Sequence, residues 1–195
     1  RATCKSVVAC FLGLEDGVVD GTPVFGTLLG AVLGAARMLG VPCQGGLAEV
    51  SQPSGGRIVG LYTGGSLAYE ALVVMQRAGL SVASNLKGGS PTLATPGHLL
   101  LDLGEDEYTR GRPHPMIDAT VRAQLVGELA EGGELGTLLL DFVLGTSSHA
   151  DPVGALAPAL VRLRARRGEG VRVVASVTGT ELDAQVRSRQ VAALE

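Results

Sequence analysis

The sequence predicts an α/β fold, a parallel sheet flanked by helices, from three observations. Short β-branched or leucine-rich runs alternate with longer helical patterns. Those runs are apolar almost throughout, as in strands covered on both faces. The 29 glycines and 9 prolines are many for a helical bundle and suit tight strand-to-helix turns. At 195 residues, 46% hydrophobic with a mean hydropathy of +0.31, the chain can build one sizeable core, or one domain plus part of another.

Taken in order, Ser6 to Gly13 reads as a buried strand and Thr22 to Leu39 as a helix, with Thr22 as cap and Pro23 at its first position. Arg57 to Thr63 is the next strand, followed by a helix from Ser66 to Arg77. His98 to Leu103 is a third strand. Asp118 to Glu131 is a helix whose Val121, Leu125, Val126 and Leu129 share one face. Thr137 to Leu144 is a strand, and Asp151-Pro152 opens a helix to about Arg167. Val171 to Val177 is a fifth strand, leading into a helix from Glu181 to the end. Gln44 to Gly56, rich in glycine and proline, is the best linker candidate, and Lys87 to Gly97 is a loop suited to move or to cover a site. Two internal echoes, Phe11-Leu-Gly13 with Phe142 to Gly145 and Thr63-Gly-Gly-Ser-Leu67 with Thr178 to Leu182, have unequal spacing. That excludes a tandem solenoid and leaves either two related modules or shared turn chemistry.

Composition removes several function classes. A net charge of −3 with 18% charged residues gives no footprint for nucleic acid, and six aromatics without a tryptophan make no base-stacking platform. Cys4, Cys10 and Cys43 form no CxxC and leave an odd thiol, which predicts a reducing, cytoplasmic setting rather than a disulfide framework or zinc site. The longest uncharged apolar stretch, Gly21 to Ala36, is shorter than the ~20 residues of a bilayer span, so no membrane partner is expected. The chain opens at Arg1 and enters a strand almost at once, as a piece of a longer protein would.

Ligands in an open parallel sheet bind beyond the carboxyl ends of the strands. Four loops qualify: 14–21, 64–66, 104–115 and 145–151. Gly64-Gly65-Ser66 is either a tight turn with a serine cap or an anion seat made by a helix N-terminus. Ser147-Ser148-His149 before Asp151 is longer than capping needs. Arg110 and Arg112, set in a proline-stiffened loop with His114, suit a bidentate grip on phosphate or carboxylate. Alternatively they pair with Glu105, Asp106 and Glu107, carboxylates that could instead hold magnesium. His114 and His149 are the candidates for proton transfer, and His98 reads as structural. No Walker A, GxGxxG or HExxH pattern occurs, and no metal ligand set is assigned.

Three segments carry a resemblance: Gly60-Leu-Tyr-Thr-Gly-Gly-Ser-Leu-Ala-Tyr-Glu-Ala71, Leu101 through Arg110-Gly-Arg-Pro-His-Pro-Met-Ile-Asp118, and Leu140-Asp-Phe-Val-Leu-Gly-Thr-Ser-Ser-His-Ala-Asp-Pro152. They resemble the FdrA family, relatives of the succinyl-CoA synthetase (acyl-CoA synthetase) superfamily. The resemblance implies a flavodoxin-like CoA-ligase-type domain over 57–195, with 1–50 the end of a preceding ligase-type α/β module. It also implies a phosphate held between two helix N-termini, near Ser66 and near Asp151 or its counterpart near Thr22. Synthetases carry a phosphorylated histidine in the loop aligned with Leu14 to Phe25, which here has none. FdrA-type proteins are linked to oxamate carbamoyltransferase, which passes a carbamoyl group between oxamate and phosphate without ATP.

What the resemblance implies is therefore an enzyme subunit fragment, inactive by itself, that handles an acyl or carbamoyl phosphate. Arg110 and Arg112 would clamp the substrate, Gly64, Gly65, Ser66, Ser147, Ser148 and Asp151 would frame the phosphate, and His114 or His149 would move the proton. The alternatives are an acyl-CoA ligase subunit and a non-catalytic scaffold. No cofactor is expected in this fragment, with CoA or magnesium reserved for the full-length enzyme. The expected partners are a small phosphate or carboxylate substrate and other subunits or domains of the same enzyme.

Overall fold

The computed structural model of the chain describes residues 5–42 and 55–195. Its main sheet has five strands, β4 (Ile58–Tyr62), β5 (Val82–Ser84), β6 (His98–Asp102), β7 (Thr137–Val143) and β8 (Arg172–Thr178), in the order β5-β6-β4-β7-β8. Every pairing in it is parallel. The first strand of this sheet is thus central, between the third and fourth. A smaller sheet precedes it: β1 (Ala9–Cys10) lies parallel to β3 (Thr22–Phe25), and β2 (Gly17–Val19) lies antiparallel to β3.

Side-chain parity divides the core. Val59, Leu61, Leu99, Leu101, Leu138, Leu140 and Phe142 face the helices α4 (Thr120–Glu131) and α5 (Pro152–Arg167), where Val126, Leu129, Val153, Leu156 and Leu163 are buried against them. Tyr62 and Leu100 face α2 (Gly65–Arg77) through Ala68, Leu72 and Met75. Each such apolar side chain contributes ~1.5–3 kcal/mol on leaving water. Gly60 has no side chain because the ring of Tyr62 lies where one would go: a Cβ there would be 2.9 Å from Tyr62 Cε2 and 3.2 Å from Leu100 Cγ.

Several expected elements differ. Thr22 to Phe25 is a strand, and the helix behind it, α1 (Leu28–Leu39), is capped by Thr27, whose Oγ1 accepts from Gly30 N at 3.0 Å. The cause is the Asp20-Gly21 pair. Both have positive φ (47° and 77°), the twist of a two-residue hairpin turn, and Val19 pairs with Thr22 across it. Pro23 is tolerated because the ladder to β1 reaches only Val24 and Phe25. Of the expected first strand, only Ala9–Cys10 forms a strand, although Phe11 N and Gly13 N also donate to Phe25 O (2.9 Å) and Gly26 O (3.1 Å). The three-residue β5 was not anticipated. Nor does a helix run from Glu181. Asp183 Oδ2 accepts from Thr180 N at 2.6 Å and folds the chain into a turn, so the last helix, α6, spans Arg187–Ala192 alone.

Arg57, at the head of β4, fixes the return from β5 to β6, which carries no helix beyond a single 3-10 turn at Asn85–Lys87. Its guanidinium donates to Gly97 O (2.7 Å), Leu93 O (2.9 Å) and Thr95 O (2.7 Å). The loop expected to move or to cover a site is therefore tied down over Leu93 to Gly97 at the amino end of the sheet, while its start at Lys87 follows directly on Asn85, which binds Asp102 at the carboxyl end of β6. Of the linker at 44–56, residues 44–54 lie outside the described residues. The small sheet with α1 rests on α2: Leu29 N donates to Glu70 Oε1 (3.2 Å) and Arg77 Nη2 to Leu14 O (2.6 Å). It leaves Phe11, Val18, Val19, Val32 and Leu39 exposed. Among the described residues no helix is long and apolar enough to cross a membrane.

Candidate functional site at the strand carboxyl ends

The turn from β4 into α2 is fixed from below. Thr63 is buried, and both its donors go to the Asp141 carboxylate on β7: N to Oδ1 at 2.8 Å and Oγ1 to Oδ2 at 2.6 Å. Asp141 is in turn held by Arg122 from α4, whose Nη1 donates to its carbonyl at 2.6 Å and lies 3.4 Å from Oδ1. The pair is 1% and 2% exposed. The Arg122 guanidinium also sits 4.9 Å from the centre of the Phe142 ring, a cation–π distance. Burial pushes the Asp141 carboxyl up, against the pull of Thr63 and Arg122, and draws the Arg122 guanidinium down. Burial also raises the Tyr62 phenol, with Asp141 and Glu70 adding to it.

On this base the entrance to α2 is open. Gly64 is the cap residue, extended and without a side chain to offer, so the first amides of α2 receive no side-chain acceptor among the described residues. Ser66, expected as the cap, lies within the first turn and is exposed. Asp102, ending β6, reaches this entrance. It is 4% exposed, its Oδ1 accepts from Gly104 N at 2.8 Å, and its Oδ2 lies 3.1 Å from where a Cβ on Gly65 would stand. Asn85 fixes its backbone as a strand partner would, donating to Asp102 O (2.8 Å) and accepting from Asp102 N (2.9 Å). Burial raises the Asp102 carboxyl; Gly104 N and His114 oppose this, and Glu105 and Asp141 reinforce it.

His114 joins the same point. A Cβ on Gly104 would lie 3.0 Å from both Asp102 Oδ1 and His114 Nε2, and 3.2 Å from Thr63 O. His114 Nδ1 accepts from Met116 N at 3.3 Å, so in the neutral ring the proton sits on Nε2, the nitrogen beside Asp102. Gly64, Gly65 and His114, all predicted from sequence, are thus brought together with Asp102. Arg110 and Arg112 are exposed on the loop after the short α3 (Asp106–Thr109) and form no ion pair among the described residues, not even with Glu105, Asp106 or Glu107. Those carboxylates do not converge: among the described residues no group of three His, Cys, Asp or Glu could hold a metal ion.

The α5 entrance differs from expectation. Asp151 Oδ1 accepts from Gly154 N (3.1 Å) and from Gln190 Nε2 (3.0 Å), while Val153 N donates to Gln190 Oε1 (3.1 Å). Its amides and its carboxylate are taken by side chains, and these contacts, Gln190 first, hold the Asp151 carboxyl below the usual range. Gln185 occupies the loop before it, donating to Gly145 O, Ser148 Oγ and His149 O. Ser148 Oγ donates to Gly145 O, and His149 Nδ1 accepts from Asp151 N at 3.0 Å. Ser147 is exposed. His149 N donates to Met116 O (2.7 Å), so this loop adjoins the one bearing His114, but Ser148, His149 and Asp151 serve their own turn.

Sequence reasoning missed Asp102, Asp141 and Arg122. A signal was present: Leu99 to Asp102 and Leu138 to Asp141 both read Leu-Leu-Leu-Asp, a carboxylate closing a leucine run.

A CoA-ligase family model matches residues 61–195. The chain is 34% identical over 207 residues to the uncharacterized protein YahF of Escherichia coli (strain K12), an alignment that covers 94% of this chain and 40% of that protein. The chain thus spans about two fifths of the length of that relative. With the matched segment covering nearly all of the five-stranded sheet, from within β4 onward, the chain belongs to the CoA-ligase family, whose members are succinyl-CoA synthetase-like.

Proposed function

We propose that this chain is part of an FdrA-type enzyme acting on an acyl or carbamoyl phosphate, with the entrance to α2 as the seat of the anionic group. The observation that carries this is the uncapped Gly64-Gly65 opening beside the Nε2–H of His114. Family membership supports ligase-type chemistry, and the histidine-free loop from Leu14 to Phe25 supports a carbamoyl phosphate over a phosphohistidine route. The Gly65 and Ser66 amides, oriented by the helix and fixed through Thr63, would stabilise the oxyanion that develops as the phosphate departs or attacks. His114 would give its Nε2 proton to the departing atom, the oxamate nitrogen when phosphate attacks and the phosphate oxygen when it departs. Arg110 and Arg112 would add charge from the rim. The α5 entrance has no part in this reading, because Gln190 and Asp151 already take its amides.

Residues 1–50 are read as the end of a preceding ligase-type module and 57–195 as the flavodoxin-like domain. The apolar residues exposed on the small sheet support this. Partners would then be other domains or subunits of the same enzyme.

The test is an assay of the full-length protein for carbamoyl phosphate formation from oxalurate. His114→Ala is expected to lower turnover at least about tenfold, the scale of one lost charge-assisted contact. CoA-dependent acyl phosphate turnover without carbamoyl transfer would favour an acyl-CoA ligase subunit, a reading the family match also favours. No heat on titration with phosphate, carbamoyl phosphate or CoA would leave a scaffold.

A further inference from the structure

Asp102 presents an anomaly for an anion seat. The residue is 4% exposed, and of its two carboxylate oxygens only Oδ1 accepts a hydrogen bond among the described residues; Oδ2 keeps contact with solvent and points at the α2 entrance, 3.1 Å from the Cβ position of Gly65. A bare phosphate set against these amides would face a carboxylate at close range, and like charges there oppose binding. A ligand seated there also takes Oδ2 out of water, and a carboxylate oxygen covered without a donor costs free energy. Both costs vanish with a ligand that brings its own N–H: its anionic group meets the Gly65 and Ser66 amides while its N–H donates to Oδ2. Gly104 and Asn85 prevent the carboxylate from turning away, one through Oδ1 and the other through the backbone.

We infer that Asp102 is a specificity residue that selects small anions bearing an amide N–H over isosteric anions bearing a methyl group. This rests on the α2 entrance being the anion seat, and it narrows the substrate class to carbamoyl-type groups. A site built to satisfy a polar partner rejects the analogue lacking it far better than an apolar pocket rejects an added group.

The experiment compares two stable probes on the full chain, phosphonoacetamide and acetonylphosphonate, which differ only in NH2 against CH3. Binding is followed by the amide NMR signals of Gly64, Gly65 and Ser66 and by calorimetry. Wild type is expected to prefer phosphonoacetamide at least about tenfold. Asp102→Asn keeps an oxygen for Gly104 N but turns an NH2 towards the entrance, so this preference should disappear while acetonylphosphonate binds at least as well. Equal affinity of wild type for both probes overturns the inference without needing a variant. So does an Asp102→Asn protein that folds and keeps the preference. Either result leaves the anion seat standing. If neither probe nor inorganic phosphate moves the three amide signals, the anion seat itself is wrong and the inference falls with it.

Discussion

Asp102 and Asp141 each close a leucine run, and the burial that makes those runs good strands raises both carboxyl pKa values from 3.8. For Asp102 the consequence has a definite sign. Folding strengthens its hold on a proton, so its contribution to stability is complete below the ordinary carboxylate pKa and is lost as pH rises through the folded value. Asp102→Asn removes this loss. The melting temperature of the variant minus that of wild type should therefore grow between about pH 4 and about pH 7, measured by circular dichroism. A flat difference would mean that Asp102 is not desolvated. Arg122 makes the opposite case, a charge kept only by its partner. Arg122→Met should cost about 3–5 kcal/mol in urea unfolding, because Asp141 remains buried without its cation. Adding Asp141→Asn should recover part of that, because it removes the unpaired buried carboxylate. In the sequence these two acids are marked only as the carboxylates that end two leucine runs, Asp102 at the end of β6 and Asp141 inside β7. Arg122 is not marked at all, since one arginine among fourteen on an amphipathic helix shows nothing of where it points.

Elements with a strong period were the readable ones. α4 and α5 fall where apolar spacing puts them, and so do β4, β6, β7 and β8, to within two residues or fewer. Thr22-Pro23 misled because a threonine before a proline suits a helix entrance and a strand start alike. The Asp20-Gly21 dipeptide just before it was the better guide, since it specifies a hairpin through its backbone twist. β5 is too short and too polar in its surroundings to show itself. The α5 entrance was unreadable for a different reason: its stoppers, Gln185 and Gln190, come from a segment some forty residues downstream. Gly60 illustrates how tightly the central strand is fitted. Gly60→Ala would place its methyl 2.9 Å from the Tyr62 ring and should lower stability by ~1–3 kcal/mol through overpacking, read from denaturant midpoints. A neutral outcome would show that the Tyr62 ring can swing aside.

At the scale of the whole molecule, the alternation of strands and helices announced a parallel sheet, but not the order β5-β6-β4-β7-β8. That order places the entrance to α2 between loops from β6 and β7, which is why Asp102 and Asp141 both reach it. The chain also returns from the outermost strand to its neighbour without an α-helix, and Arg57 is what closes that return. A lysine in its place keeps the charge but cannot span three carbonyl oxygens at once, because its ammonium is a point donor and not a planar fork. The segment after Lys87, exposed over residues 87–90, would then be released while the sheet stayed intact. Brief trypsin digestion should nick Arg57→Lys after Lys87 and leave wild type whole at that bond, so that a single guanidinium decides whether this side of the protein withstands a protease.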